Sequence, residues 1–299
     1  MKLSLSVPAD FNLHRTIYSH GWSSLPPFST EKNRILLSRA DELPSGGVVF
    51  YSISQPKKKL LTIDVDAKKG AAEHRSEILR QVKSCLRLDE DYSEFYRVSK
   101  KYPHFRWTAK TGAGRLLRAP SVFEDAVKMI CTTNCSWALT KIMVNNLCRK
   151  LGKKIAADIY TFPSPKAVAR VTEAFLRKEI KAGYRAPYLL ELSRRIVNGD
   201  LDMESWRIST KPTPELYDEV TGVKGIGPYA AANILKLIGR YDYLGIDSWC
   251  RKQFSTMYKD GRKVSDRTIE KFYNHYGAWR GLFFWLDLTK HWYEKEYPF

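Results

Sequence analysis

The sequence predicts an α+β fold: an N-terminal antiparallel β-sheet domain over residues 1–118, then a mostly α-helical body over residues 119–299. Three observations carry this. Short runs rich in β-branched and aliphatic residues are confined to the first third of the chain. Beyond Ser121, helical spacing with start and stop signals takes over. A content of 43% hydrophobic and 13% aromatic residues is enough to bury a core, which excludes a disordered chain.

In the first part, residues 35–39, 48–53 and 60–65 read as strands, the last two joined by a hairpin turn at Gln55-Pro56-Lys57-Lys58. The alternation in Thr62-Ile63-Asp64-Val65-Asp66 puts both carboxylates on one face. The solvated face of a sheet accounts for them more readily than a catalytic pair does. Residues 72–86 place Ile78, Leu79, Val82, Cys85 and Leu86 at helical spacing. Ser121 and Glu124 read as a capping box, the serine capping backbone N–H groups and the glutamate reaching back. A second helix covers 137–151, with Gly152 as its stop and Arg149 and Lys150 suiting its dipole. Further helical patterns lie at 165–171, 173–181, 187–197, 214–220, 228–237 and 265–276.

Charge narrows the function. Fifty Lys and Arg against 32 Asp and Glu leave +18, so the expected partner is a polyanion, nucleic acid before an anionic membrane. No apolar run reaches the roughly 18 residues of a membrane span, and no strongly basic amphipathic helix is present. Pro8, Asp10 and His14 interrupt any signal-peptide pattern. The five scattered cysteines make no disulfide framework, and Cys131 and Cys135 read as core or site-lining thiols. The expectation is an intracellular protein, found with the genome.

The informative segment is 213–237. Thr213 can cap a helix with Pro214 at its first position. Gly222, Gly225 and Gly227 make a tight connection, and Pro228 starts the next helix. Such a turn leaves backbone N–H groups at a helix start, unshielded by side chains, as a seat for a DNA phosphate. Lys224 beside it adds a charge-assisted contact.

This segment closely resembles the helix-hairpin-helix of the HhH-GPD DNA glycosylase superfamily, in which an aspartate follows the hairpin by about twenty residues. Asp247, within Leu244-Gly245-Ile246-Asp247-Ser248-Trp249-Cys250-Arg251-Lys252, fits that pattern. Arg115-Leu116-Leu117-Arg118, Ile130-Cys131-Thr132-Thr133-Asn134 and Gly183-Tyr184-Arg185-Ala186 resemble segments of the 8-oxoguanine DNA glycosylase branch. The N-terminal sheet resembles the extra domain of that branch and of 3-methyladenine DNA glycosylase II.

The resemblance implies base excision from duplex DNA by a monomer, with no membrane partner. Asp247 would stabilise the oxocarbenium character that develops on the sugar and activate water; a cap on the following helix is the alternative role for it. Asn134 would fill the vacated space, Tyr184 wedge, and Arg185 contact the opposite base, while Tyr229 and Trp249 line the base pocket and Gly21 corresponds to a pocket glycine. Plain core packing is the alternative for the aromatics. Main-chain carbonyls of Thr221, Val223 and Ile226 match positions that hold a monovalent cation in the superfamily.

Two departures matter. Bifunctional members carry a lysine where Tyr229 stands, so no Schiff base is expected there. Only Cys250 follows Asp247, so no iron–sulfur cluster is expected either. The expected activity is a monofunctional glycosylase acting on a damaged purine, alkylated before oxidised, with mismatched or deaminated pyrimidine third. A lyase using another lysine, such as Lys224, and a non-enzymatic helix-hairpin-helix DNA-binding protein are the alternatives.

Overall fold

The computed structural model describes every residue except 32–33, 44–45, 67–73, 295–297 and 299. Strands β1 (Lys2–Ser6), β2 (Phe28–Thr30), β3 (Leu37–Glu42), β4 (Val48–Lys57) and β5 (Leu60–Asp66) form one sheet in the order β1-β5-β4-β3-β2, every neighbour antiparallel. A short helix α1 (Leu13–Ile17) links the first two strands. The alternation in β4 and β5 does what period two requires. Tyr51 pairs with Val65 and Ile53 with Ile63 on the buried face, while Asp64 and Asp66 face solvent.

The hairpin turn differs from expectation. β4 continues through Pro56 to Lys57 with a register shift after Ser54, so Lys58 and Lys59 turn the chain. The irregularity accommodates a proline that has no N–H to give a ladder. β3 is also displaced from 35–39 towards Glu42, because Arg39 and Asp41 are buried there as a satisfied ion pair. The two edge strands, β1 and β2, were not among the expected strands, although Leu3 and Leu5 alternate with polar residues along β1 as a strand requires.

The helical part begins with α2 (Arg75–Cys85), α3 (Ser93–Ser99) and α4 (Arg106–Thr111). Residues 72–73 of the expected 72–86 helix lie outside the described residues. Then come α5 (Val122–Thr132), α6 (Trp137–Leu151), a two-stranded ribbon of β6 (Lys154–Ala156) and β7 (Ile159–Tyr160), and α7 (Pro165–Ala169), α8 (Glu173–Lys178) and α9 (Ala186–Asn198). The chain ends with α10 (Thr213–Thr221), α11 (Pro228–Leu237), α12 (Ser248–Tyr258), α13 (Asp266–Tyr273) and α14 (Arg280–Glu294). Among the described residues, no helix is long and apolar enough to cross a membrane.

Half of the capping box holds. Ser121 accepts from the Glu124 N–H at 3.2 Å, but the Glu124 carboxylate does not reach back. It takes a bidentate contact from Arg39 of β3, at 3.0 and 2.6 Å, and an ion pair from Lys128 at 2.7 Å. The first N–H groups of α5, from Val122 and Phe123, go to Glu204. A buried fork-to-fork pair is stronger than a local cap, and here it ties α5 to the sheet.

One apolar core runs without a break from Leu61 and Ile63 of the sheet through Val82, Leu117 and Ile130 to Leu235 and Phe283. A second cluster joins Phe254, Ile269, Tyr273, Phe284 and Leu288. Helix α14 contributes to both and is buried on nearly all sides.

Three buried arginines fix α11 against the first part of the chain. Arg87 donates to the carbonyls of Lys236 and Leu237 at 3.0 and 3.1 Å, satisfying the end of the helix. Arg118 reaches Leu237 and is held by Asp89 and Glu90, and Arg115 binds the Arg87 and Glu90 carbonyls.

Candidate active site and DNA-facing groove

The turn from α10 to α11 divides its glycines by role. Gly225 has φ +88°, and a Cβ there would come within 2.7 Å of Tyr188, so both backbone and neighbour require glycine. Gly227 is the N-cap of α11 with φ −84°, and a Cβ would meet nothing within 4 Å. Its bareness faces outward. No side chain caps α11, so the helix start remains available to an anion. Lys224 beside it is exposed and pairs with Glu191 at 3.0 Å. Thr213 does not cap α10 as expected: its hydroxyl donates to Asp242 at 2.9 Å, and Pro212 holds the cap position.

Asp247 ends the loop into α12 as its N-cap, accepting the Cys250 N–H at 2.7 Å through one oxygen. The cap role therefore exists, and it orients the carboxylate. Tyr229, in the first turn of α11, turns its hydroxyl towards Asp247 and Thr132. Burial, then the Asp247 charge, push the Tyr229 pKa up. Burial and the same carboxylate push the Cys250 thiol up.

Two concavities meet at this carboxylate. An open groove of about 780 Å³ is lined by Asn134, Tyr184, Lys224, Gly225, Gly227 and Asp247, with Thr221, Val223 and Ile226 at the turn. A deeper cavity of about 520 Å³ lies behind. Thr132, Cys135, Tyr229, Asp247 and Ser248 line both. Residues far apart in sequence thus line two adjoining concavities, one of them at the anion-ready turn, with the Asp247 carboxylate on their shared wall.

Most of the expected site residues lie here. Trp249 lines the cavity, its ring 5.4 Å from Trp292 and 6.2 Å from Trp285. Gly21 lines it too: a Cβ there would strike the Trp137 ring at 2.4 Å. Asn134 and Tyr184 are exposed neighbours, the Asn134 amide 3.5 Å from the Tyr184 hydroxyl. Cys131 is buried in the core, whereas Cys135 lines both concavities. Arg185 departs from expectation. It is 3% exposed, and its guanidinium donates to the carbonyls of Ile130 and Thr133. It holds the loop bearing Asn134 rather than reaching out.

Sequence reasoning missed His20, Trp137, Lys236, Trp285 and Trp292, which complete the cavity wall. For Lys236 a signal existed: a lysine inside the apolar run Ile234-Leu235-Lys236-Leu237, seven residues after Tyr229 on the same helical face. His20 is buried with its ring nitrogen 2.5 Å from the Leu117 carbonyl, and burial holds its pKa down to about 3, so it is neutral.

The architecture is that of known repair enzymes. The 3-methyladenine DNA glycosylase of Archaeoglobus fulgidus superposes with a TM-score of 0.76 at 18% identity, covering 97% of this chain and 99% of that one. The Clostridium acetobutylicum 8-oxoguanine glycosylase/lyase, solved with dsDNA containing cytosine opposite 8-oxoG, gives 0.73 at 22% identity, covering 98% of each chain. In sequence, 209 residues are 26% identical to a Methanothermobacter thermautotrophicus protein named "Probable N-glycosylase/DNA lyase", covering 62% of this chain. The match spans 65% of that relative's length. Residues 127–281, more than half of the chain and including the hairpin and Asp247, match the HhH-GPD pattern. The chain belongs to the HhH-GPD superfamily of base excision DNA repair proteins.

Proposed function

We propose that this chain is a monofunctional DNA glycosylase: it flips a damaged purine out of duplex DNA and hydrolyses its N-glycosidic bond. The observation that carries this reading is the position of Asp247, where the groove and the aromatic cavity meet. A flipped nucleotide has its phosphate outside, its sugar at the junction and its base inside. The start of α11 and Lys224 seat a phosphate, Lys224 exchanging Glu191 for it. Asn134 and Tyr184 enter the space the nucleotide leaves, and Arg185 positions their loop. Trp249 offers a stacking face to the base.

At the sugar, the carboxylate of Asp247 stabilises positive charge as the bond to the base breaks, and it takes a proton from the attacking water. Tyr229 stands where bifunctional relatives of this family carry lysine, and a phenol forms no Schiff base, so strand cleavage is not part of the reaction. Carbonyl oxygens at Thr221, Val223 and Ile226 are a neutral donor set that suits a monovalent cation, which would stiffen the turn.

The test is Asp247→Asn in a single-turnover base-release assay, with 7-methylguanine, 3-methyladenine, 8-oxoguanine, hypoxanthine, uracil and G·T duplexes. Excision should fall by at least about a hundredfold while duplex affinity stays within a few-fold. Near-wild-type release by the variant reduces Asp247 to a helix cap and overturns the mechanism.

A further inference from the structure

Lys236 is 4% exposed and faces the cavity from the second half of α11. A lysine buried so deeply ordinarily has a carboxylate bonded to it. This one makes no hydrogen bond or ion pair through its ammonium with any described residue. Its nitrogen lies over the Trp285 ring, 4.6 Å from the centroid. Burial pulls its pKa down to about 8, with Cys250 and Asp247 partly opposing the fall. A leucine would fill this place in an apolar run without the desolvation cost.

Its depth decides what it can touch. Lys236 lies two helical turns, about 10 Å along α11, beyond Tyr229. Tyr229 borders both groove and cavity, whereas Lys236 borders the cavity alone. With the sugar at Asp247, an amine at that depth meets the base.

Building on the glycosylase reading, we propose that Lys236 is the acid that protonates the departing base. Its charge makes the cavity select neutral purines bearing an acceptor atom over cationic alkylated ones. As the C1′–N9 bond breaks, its electron pair leaves with the base. The Lys236 ammonium gives a proton to an acceptor on the base edge, and the base departs neutral. Water adds to C1′ and loses its proton to Asp247, and exchange with solvent returns a proton to the amine. A purine alkylated at N3 or N7 already carries a positive charge and needs no such proton. Beside an ammonium in a poorly solvated cavity, it is repelled. This reverses the order expected from aromatic stacking alone.

The test compares single-turnover release of 8-oxoguanine, hypoxanthine and 7-methylguanine by the wild type and Lys236→Met, which keeps bulk and removes charge. The wild type should release at least one of the neutral purines faster than 7-methylguanine. The variant should lose about a hundredfold on the neutral bases and nothing on 7-methylguanine, with an unchanged Tm and unchanged affinity for a duplex carrying an uncleavable abasic analogue. Wild-type excision of a neutral base should also fall as pH rises through about 8, because the ammonium exists below that value and is lost above it. Among the other titratable groups facing the cavity, Tyr229 and Cys250 are shifted upward and His20 is neutral. These three, Asp247, Cys135 and His291 all remain in the variant, so a limb that survives there belongs to them and overturns the proposal.

Equal losses on all three bases, or wild-type preference for 7-methylguanine, overturn it too, with the glycosylase reading intact. So does a borohydride-trapped adduct that disappears in Lys236→Met, which makes the amine a nucleophile. Release of no base at all, across the lesion panel used for Asp247, defeats the glycosylase reading and this proposal with it. The wild-type selectivity decides the matter even where the variant does not fold.

Discussion

The two ends of α11 differ in how they are built. At its start, the Gly-x-Gly turn is largely a local object: the six residues between α10 and α11 set its shape, and at Gly227 its open face is bare. At its other end, Lys236 sits in a cavity whose walls come from near residue 20, from the 130s, and from α12 and α14. The arginines that hold this end belong to residues 87 and 118. A change at the turn should therefore act on the turn and on DNA. A change in the scaffold should act on everything the cavity depends on.

The largest effect that separates the two belongs to the scaffold. Arg39→Met removes the arginine from buried Asp41 and Glu124, leaving them to Tyr51 and Lys128, which should cost about 3–5 kcal/mol of stability in urea unfolding. Burial raises the Asp41 pKa, so part of the loss should be recovered at low pH as that group takes a proton. A loss below about 1 kcal/mol would mean that this network does not tie α5 to the sheet.

At the turn, two glycines two residues apart should behave differently. Gly225→Val must carry a β-branched side chain at φ +88° against Tyr188, so it should lose roughly 1–3 kcal/mol of stability and weaken duplex binding. Gly227→Val has an ordinary φ and open space. Its stability should change by no more than about 0.5 kcal/mol, while duplex affinity falls because the side chain stands in the anion seat. Equal thermal shifts in the two variants would break the distinction.

The smallest effect lies on the rim. Duplex affinity should decline with salt by about −0.9 log units per log unit for each phosphate neutralised. Glu191→Gln releases Lys224 from an exposed pair and should raise low-salt affinity by no more than about fivefold. A drop on filter binding would show that Glu191 supports the turn instead of competing with DNA.

How much of this was legible follows the same division. Helices α6 and α11 occupy the spans their spacing predicted, 137–151 and 228–237. Their signals are short-range: a stop glycine, a proline at the first position, an apolar stripe. Helix α14, buried on nearly every side, was not among the predicted spans. Thr213 and Glu124 were read as local caps, yet each found a stronger partner from elsewhere, Asp242 and Arg39.

By itself, then, the sequence determined the α+β division, the hairpin and its exposed glycines, and Asp247 at a helix start, since each depends on residues within a few turns of one another. Only the tertiary structure decided that Trp137, Trp249, Trp285 and Trp292 share one cavity. Only it decided that Arg185 turns inward to support a loop, and that Lys236 loses its water and lines the same cavity as Asp247. Those facts depend on which distant segments meet. The burial that pulls the Lys236 pKa down does not exist until they do.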